Sequence, residues 1–375
     1  MGVKDARPLH SEARPSSISG IAMDGTAVVL CEGAFGDTGG KTAHGLVRFT
    51  ERYAVCAVID SRLAGRDAGE VLDGRPAGIP IVRDLEEALR AAGGRADYLV
   101  VGVATHGGVL PEECRPAIRE ALRLGLHVDS GLHELLGDDP ELAALARGSG
   151  ARIRDVRRTP PREAMHAYTG EVRQVAAVRL ATLGTDSGVG KRTTALRLVQ
   201  GLNAGGARAV LVGTGQTAWM QGVRYGLVLD SLINDFVSGE IEHQVCRADR
   251  EEHPHVIVVE GQGCLTHPAY PGGFEILAGA QIQGVVLQHA PSRTHYDGWP
   301  GFSLAGVERE KLLIEMLGAP VVAIALNHER LDRETAGRIA RDYEERFGVP
   351  CCDPLRDGVG PILAALRRRF PRIPG

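Results

Sequence analysis

The residues best suited to chemistry fall in GTDSGVGKRTT, residues 184–194. A glycine turn between a strand and a helix aims successive backbone N–H groups at one point. The helix N-terminus adds partial positive charge and a lysine adds a full one, so together they grip a diphosphate. Gly188 and Gly190 clear side chains from the approach, and Lys191 bridges phosphate oxygens. Two features depart from the ordinary loop. The spacing from Gly184 to Gly190 is longer by a residue, and Arg192 stands where a magnesium-dependent NTPase carries the hydroxyl that ligates the metal. An arginine cannot ligate a cation, so the loop is expected to hold a diphosphate with no metal site. Coenzyme A, whose phosphates are handles rather than reactants, suits such a loop. ATP with magnesium stays open if Thr193 or Glu260 recruits the metal. The expected cofactor contacts are Thr185, Asp186, Ser187, Gly188, Val189, Gly190, Lys191, Arg192, Thr193 and Thr194, with the two threonines on the α-phosphate side.

HVIVVEGQGCLTHP (255–268) carries Glu260 to the carboxyl end of a buried strand, where open α/β sheets place ligands. An acid there acts through metal-bound water in P-loop proteins, or it serves as a general base that takes a proton from the reacting group. Glu260 and His267 are the candidates. The alternative is a carboxylate that only orders the phosphate loop. Gln262 is a candidate substrate contact. In DSLINDFVSG (230–239), Leu232, Ile233, Phe236 and Val237 read as one core-facing helix stripe, with Asp230 as N-cap; alternatively, Asp230 or Asp235 reads a substrate ammonium. The polar run LQHAPSRTHYDGWPG (287–301) offers Arg293, whose planar fork suits a carboxylate, or else a solvated arginine. In ALNHER (325–330), His328 and Arg330 replace the guanine-reading lysine and aspartate of GTPases, leaving Asn327 for adenine. GAFGDTGGKT (33–42), with Gly36, Gly39, Gly40 and Lys41, is a weaker anion candidate. Asp60 ends a strand as a ribose-binding acid would, and GVATHGG (102–108) brings His106 to a strand end. Tight turns without ligand explain these three equally well.

The elements that must position these residues alternate. Short apolar strands at 26–31, 53–60, 78–82 and 98–104 are separated by helical segments from Lys41 to about Arg52, at 84–94 and at 111–125. A strand at 127–131 and a helix at 139–150 follow. Asp84 as N-cap with Glu86 and Glu87 in the first turn marks one helix start. Residues 151–174, charged and holding Pro160-Pro161, read as the connection, giving domains over 26–158 and 175–375 with 159–174 between them. The second domain reads as strands at 175–184, 207–215, 255–263, 284–290 and 320–327. Its helices read at 191–204, 230–239, 304–318 and 331–348, with one more near the C-terminus. Alternation of this kind implies parallel βαβ units with right-handed crossovers. The fold class is α/β, two doubly wound parallel-sheet domains, Rossmann-like first and P-loop NTPase-like second.

At 375 residues the chain suits two domains. A formal net charge of −4 and no long basic block speak against nucleic acid. Seven cysteines without CxxC or zinc spacing fit a reducing, cytoplasmic setting. The N-terminus has no apolar signal core and no run reaches membrane-span length. Residues 1–25 read as a mobile tail.

GTDSGVGKRTTA, VVEGQGCLTHPAY, DSLINDFVSGEIE and EGAFGDTGGKTAHGLVRF together resemble a bacterial family long catalogued as of unknown function. That family pairs an N-terminal Rossmann-like domain with a C-terminal P-loop domain and includes D-glutamate N-acetyltransferases. The resemblance covers residues 26 to 370. The longer loop with its GTD start is also similar to that of dethiobiotin synthetase. The family resemblance implies acetyl transfer from acetyl-CoA to the amino group of an amino acid. On this expectation the partners are a small-molecule amino acid and further copies of the chain, with neither nucleic acid nor membrane. An ATP-dependent carboxylate-activating ligase or kinase, and a non-enzymatic nucleotide sensor, are the rival expectations.

Overall fold

The computed structural model describes residues 21–375. In the first domain β1 (Gly25–Leu30), α1 (Lys41–Arg48), β2 (Tyr53–Ile59), α2 (Ala68–Asp73), β3 (Ile81–Val82), α3 (Leu85–Ala91), β4 (Tyr98–Val101), α4 (Arg115–Arg123), β5 (His127–Ser130), α5 (Pro140–Ser149) and β6 (Ile153–Asp155) follow in turn. The six strands form a parallel sheet in the order β3-β2-β1-β4-β5-β6. That order reverses between β1 and β4, the crevice where open α/β sheets take ligands.

The second domain runs β7 (Val178–Gly184), α6 (Lys191–Ala204), β8 (Ala209–Gly213), α7 (Gln216–Met220), β9 (Tyr225–Gly226), α8 (Asn234–Glu252), β10 (Val256–Glu260), α9 (Gly273–Gly279) and β11 (Gly284–His289). It continues with β12 (His295–Tyr296), β13 (Trp299–Ser303), α10 (Gly306–Met316), β14 (Val321–Leu326), α11 (Arg333–Phe347), β15 (Cys351–Cys352) and α12 (Gly360–Arg369). Seven strands make a second parallel sheet in the order β15-β14-β11-β7-β10-β8-β9, and β12 and β13 form an antiparallel hairpin. Every residue of β7 and of β10 is buried, because parallel strands covered by helices on both faces need continuous apolar runs. Each fully buried Val or Leu there contributes about 1.5–3 kcal/mol. The expected fold class, two parallel-sheet α/β domains, is the one observed.

Several sequence expectations need correction. Asp230 does not cap a helix: it lies in a short 3-10 turn (Leu229–Ser231), and α8 begins at Asn234 without a side-chain cap. Ile233 is exposed rather than core. The same helix runs on to Glu252, past the expected end near Gly239, because Val237, Ile241, Val245 and Ala248 continue one buried apolar stripe. Glu240 and Glu242 are buried in the same helix, where they accept from the backbone N–H groups of His166, Thr169 and Val172 and tie the connection to it. Residues 153–155, read as part of the connection, are the edge strand β6. Of the expected tail, residues 1–20 lie outside the described residues. Asp24 is already held, its N–H donating to Arg52 O at 2.8 Å and its carboxylate 2.8 Å from Arg154.

The two domains meet along α1 and α7. Thr42 and Thr217 share a hydroxyl–hydroxyl bond of 3.1 Å. One turn on, Gln221 donates to Gly45 O and Phe49 O at 2.8 and 2.9 Å. The helices therefore lie side by side with the same polarity, and both spring from strand ends. This brings the carboxyl ends of β1 and β8 to one shared cleft. Trp219 locks the far end of the seam: Arg52 stacks 3.9 Å over its ring and donates to its carbonyl at 2.9 Å.

Candidate functional site

Lys191 opens α6 directly after Gly190, whose backbone sits at φ +107°. Its stem threads a passage that side chains would close: a Cβ on Gly261 would fall 2.2 Å from Thr182 O and 3.1 Å from Lys191 Cδ. The backbone N–H groups of residues 188–193 donate to no acceptor among the described residues, whereas Thr194 N already bonds Gly190 O. These amides, with the lysine beside them, form the donor set that phosphate oxygens require. Burial pushes the Lys191 ammonium down to about 8, with Cys264, Asp186 and Glu260 opposing. Its Nζ donates to Asp186 O at 2.6 Å.

The loop is braced from outside by residues that sequence reading placed on ligands. Arg293 does not lie open for a substrate carboxylate. It donates to Asp186 Oδ2 at 2.9 Å, to Ser187 O at 2.7 Å and to Glu329 at 2.7 Å, so its fork is spent on the loop. Asp186 is wholly buried and accepts from Ser187 N at 2.7 Å, besides Arg293 and Asp297 N. Asn327 donates to Val189 O at 2.9 Å and accepts from Glu329 N, leaving its amide committed to the loop rather than to adenine. Thr194 is buried and donates to Gln288 Oε1, so it is also withdrawn. Thr185 bonds His289 Nδ1 at 2.8 Å. Gln288 and His289, at the end of β11, were not singled out: they stand where the strand reading 284–290 overlaps the polar run 287–301, and only Arg293 of that run was assigned a ligand.

Arg192 turns back toward β10. Its Nη1 lies 4.0 Å from Glu260 Oε1, and Glu260 Oε2 accepts from Thr214 N at 3.0 Å. Burial pushes the Glu260 carboxyl up, against Arg192, Thr214 N–H and Lys191. It lowers Arg192 as well, with Glu260 opposing. Desolvation thus outweighs pairing for both, as expected of a buried pair without a direct hydrogen bond. Gln262 joins this group, donating to Thr214 Oγ1 at 3.0 Å, and Thr214 Oγ1 donates to Glu260 O.

His267 is buried beside the loop, with Nε2 3.6 Å from Asp186 Oδ1. Its Nδ1 accepts from Ala269 N and Tyr270 N, both at 3.1 Å. That fixes the proton on Nε2, and burial lowers the ring's pKa. A neutral ring with its lone pair occupied cannot take an amine proton, which leaves Glu260 as the candidate base. The segment holding His267 is pinned by Glu310, fully buried and accepting from Leu265 N at 3.1 Å and Thr266 N at 2.9 Å.

Asp230 lies across the cleft from the loop, where Arg157 donates to both of its oxygens at 3.1 and 2.8 Å and to Gln216 Oε1 at 3.0 Å. Asp235, in the first turn of α8, is exposed. In the first domain Asp60 is not free for a ribose: it accepts from Phe35 N at 2.9 Å and Arg62 N at 3.1 Å, shaping the 31–40 turn. Among the described residues no group of three or more His, Cys, Asp and Glu side chains is arranged to hold a metal, and no helix is long and apolar enough to cross a membrane.

Comparison with known proteins gives a consistent result. Residues 61–159 match a Rossmann-like domain of unknown function, DUF1611_N, and residues 166–363 match a P-loop domain of unknown function, DUF1611_C. The chain is 35% identical over 289 residues to a D-glutamate N-acetyltransferase of Tritonibacter scottomollicae, covering 75% of this chain and 84% of that protein. It is 35% identical over 278 residues to a protein of the same name from a Pseudoalteromonas species, covering 72% and 81%. A crystal structure of a DUF1611 family protein from Anabaena variabilis superposes with a TM-score of 0.84 at 31% identity, over 92% of this chain and 99% of that one.

Proposed function

Since the chain belongs to the DUF1611 family, with its Rossmann-like and P-loop domains in tandem, we propose that it is an acetyltransferase moving an acetyl group from acetyl-CoA to the amino group of an amino dicarboxylic acid such as D-glutamate. The activity for which the two relatives are named supports the reaction. The observation that carries the cofactor assignment is the pairing of Arg192 with Glu260 beside a loop of unspent amides. In a P-loop NTPase the acid after this strand and the residue after the lysine serve a magnesium ion. Here they face one another as a cation and an anion, a donor set that does not suit the metal. The amides of 188–193 and Lys191 do suit a metal-free diphosphate.

Acetyl-CoA, when bound, supplies the activated thioester carbonyl. The chain's own residues do the remainder. The loop amides and Lys191 hold the diphosphate, and Arg293, Asp186 and Asn327 keep the loop in shape. Glu260, its carboxyl raised by burial and steadied by Arg192 and Thr214 N–H, accepts the proton that the amine must shed. Gln262, which donates to the Thr214 hydroxyl that in turn donates to the Glu260 backbone carbonyl, is the candidate substrate contact beside it.

The test is acetyl transfer itself. The purified chain is incubated with acetyl-CoA and D-glutamate, L-glutamate, D-aspartate or D-glutamine, with and without EDTA. Free CoA thiol is followed by colour and the N-acetylated product by mass. EDTA-insensitive acetylation of at least one acceptor is expected. Release of ADP from Mg-ATP that depends on the amino acid, with no CoA release from acetyl-CoA, would replace this reading with the ligase.

A further inference from the structure

Lys41 is the second lysine in a glycine-rich strand-to-helix turn, and the fold brings it to the cleft faced by the first. The chain strongly favours arginine: of 43 cationic residues only four, at positions 4, 41, 191 and 311, are lysine. Lys41 is the first residue of α1, the helix that lies along α7. Its neighbour Thr42 touches Thr217. One turn further on, a Cβ placed on Gly45 would lie 2.7 Å from Arg192 Nη2. The lysine therefore projects from the first-domain wall at the mouth of the cleft, while the phosphate loop forms the opposite wall.

The other cations around this cleft are engaged. Arg157 is held by Asp230, Gly131 O and Gln216. Arg293 is held by Asp186 and Glu329, and Arg192 lies beside Glu260. Lys41 is exposed, and its ammonium has no hydrogen-bond or ion-pair partner among the described residues. Although it keeps solvent contact, the surrounding walls lower its pKa. Asp297 opposes that shift, and Arg157, Arg192 and Asp230 lie within electrostatic range. Lys191 feels Lys41 in turn. Two lysines from two domains thus address one space.

Resting on the acetyl-transfer reading above, we propose that Lys41 is a substrate-binding residue that holds a carboxylate of the amino-acid acceptor, so that the first domain selects the acceptor while the second holds the cofactor. The loop amides and Lys191 already serve the cofactor's diphosphate on one wall. An acceptor with two carboxylates brings net negative charge into a cleft where Asp297 stands against the phosphate loop and Arg157 is already taken up by Asp230, so a further cation is needed to receive it. A compact ammonium on a long stem can follow a flexible acceptor in a way that a rigid guanidinium fork cannot.

The experiment compares wild type with Lys41→Met and, as control, with Lys311→Met, a surface lysine paired to Glu315. Steady-state constants are measured separately for acetyl-CoA and for the acceptor. Lys41→Met is expected to raise KM for glutamate by about tenfold or more, the size of one lost charge-assisted contact. KM for acetyl-CoA should stay within about twofold, and melting should be unchanged because the side chain is exposed. Glutamine separates the two possible carboxylates. If Lys41 holds the side-chain carboxylate, the variant loses the wild-type preference for glutamate over glutamine. If it holds the α-carboxylate, both acceptors weaken together. A raised KM for acetyl-CoA with the acceptor unaffected would overturn the proposal, as would no change in either. Should the wild type transfer no acetyl group, the acetyltransferase reading falls. The Lys41 assignment is then decided by calorimetric titration with glutamate alone: wild type binding it more tightly than the variant upholds it, and equal or no binding removes it.

Discussion

Arg192 and Glu260 lie 4.0 Å apart, guanidinium to carboxylate, on the two sides of the crevice that opens beyond β7. Each comes from a position that a magnesium-dependent P-loop enzyme gives to the metal site. The substitution is therefore more than a missing hydroxyl. The protein supplies a fixed positive charge next to the acid, and burial presses on both partners. A fixed cation beside the phosphate loop needs no metal recruitment, which suits a cofactor whose phosphates are never transferred.

Arg192→Thr restores the hydroxyl and frees Glu260 from its cation. In the wild type, stabilisation by CoA or ADP is expected to be the same with magnesium as with EDTA. In the variant, stabilisation by ADP should become magnesium-dependent, since a ligand that binds only the folded state raises Tm with its affinity. Melting curves across a magnesium series check this. An ADP effect that depends on magnesium in the wild type would show that the loop recruits a metal despite the arginine.

Lys191 has its pKa pushed down to about 8, chiefly by burial. A diphosphate binds the ammonium form, so binding above that pH draws a proton from solvent. Affinity for CoA should fall by up to about tenfold per pH unit once pH passes that value. The sign for folding is opposite. An unfolded lysine keeps its proton to about 10.4, so between the two values the unfolded chain holds more protons, and this residue's contribution to stability rises with pH. Calorimetry at pH near 9 in two buffers of different ionisation enthalpy should find uptake approaching one proton per CoA. No uptake, or equal uptake in Lys191→Met, would show that the lysine does not meet the phosphates.

Much of this architecture is legible in the residues. Buried parallel strands announce themselves as apolar runs such as VIVVE (256–260), and the strand–glycine–lysine–helix order fixes the phosphate loop. What composition hides is the spending of polar groups. Nothing about Arg293 or Asn327 says that both will be consumed in bracing the loop, because the loop residues they hold, Asp186 and Val189, stand more than a hundred residues away in sequence. The same limit applies to Asp230, which resembles a cap until Arg157 takes both its oxygens. Polar helical residues mislead for a related reason: Glu240 and Glu242 are buried in α8 and hold a neighbouring backbone, a role that the Val237, Ile241 and Val245 stripe beside them does not reveal. Lys41 was visible only as a glycine turn with a cation, and its meaning depends on the seam between α1 and α7.

The two candidate bases separate by substitution. Glu260→Gln keeps shape and removes the proton acceptor. Transfer should slow by about 10²–10⁴-fold, the range for a general base, with KM for acetyl-CoA little changed. His267→Asn retains an oxygen able to accept from the Ala269 and Tyr270 amides, the role the ring Nδ1 fills. It is expected to keep activity within about tenfold, a loss of no more than about 1.4 kcal/mol in the barrier. Stopped-time assays at saturating acetyl-CoA decide the matter. If His267→Asn is the more damaging of the two, the proton goes to the histidine and its tautomer has been read wrongly.

Gly45→Ala tests how far the domain seam controls the acid. By helix propensity alone the change gains about 1 kcal/mol, since alanine is the better residue inside a helix. Packing argues the other way. The added methyl would lie 2.7 Å from Arg192 Nη2, 3.0 Å from Thr217 Cγ2 and 3.4 Å from Gln221 Nε2. Overpacking of this kind costs about 1–3 kcal/mol, so a small net loss of stability is expected. The easiest relief is for the end of Arg192 to swing aside, because Thr217 is tied to Thr42 and Gln221 to two carbonyls. That swing removes from Glu260 the charge that most opposes its burial. The carboxyl then ionises at higher pH. A base must be ionised to take a proton, so the acid limb of the rate profile should move to higher pH. Arg192→Met should shift the limb in the same direction, and adding Gly45→Ala to it should shift it little more, because the two changes act through one contact. Additive shifts would mean that the glycine acts by some route other than the guanidinium.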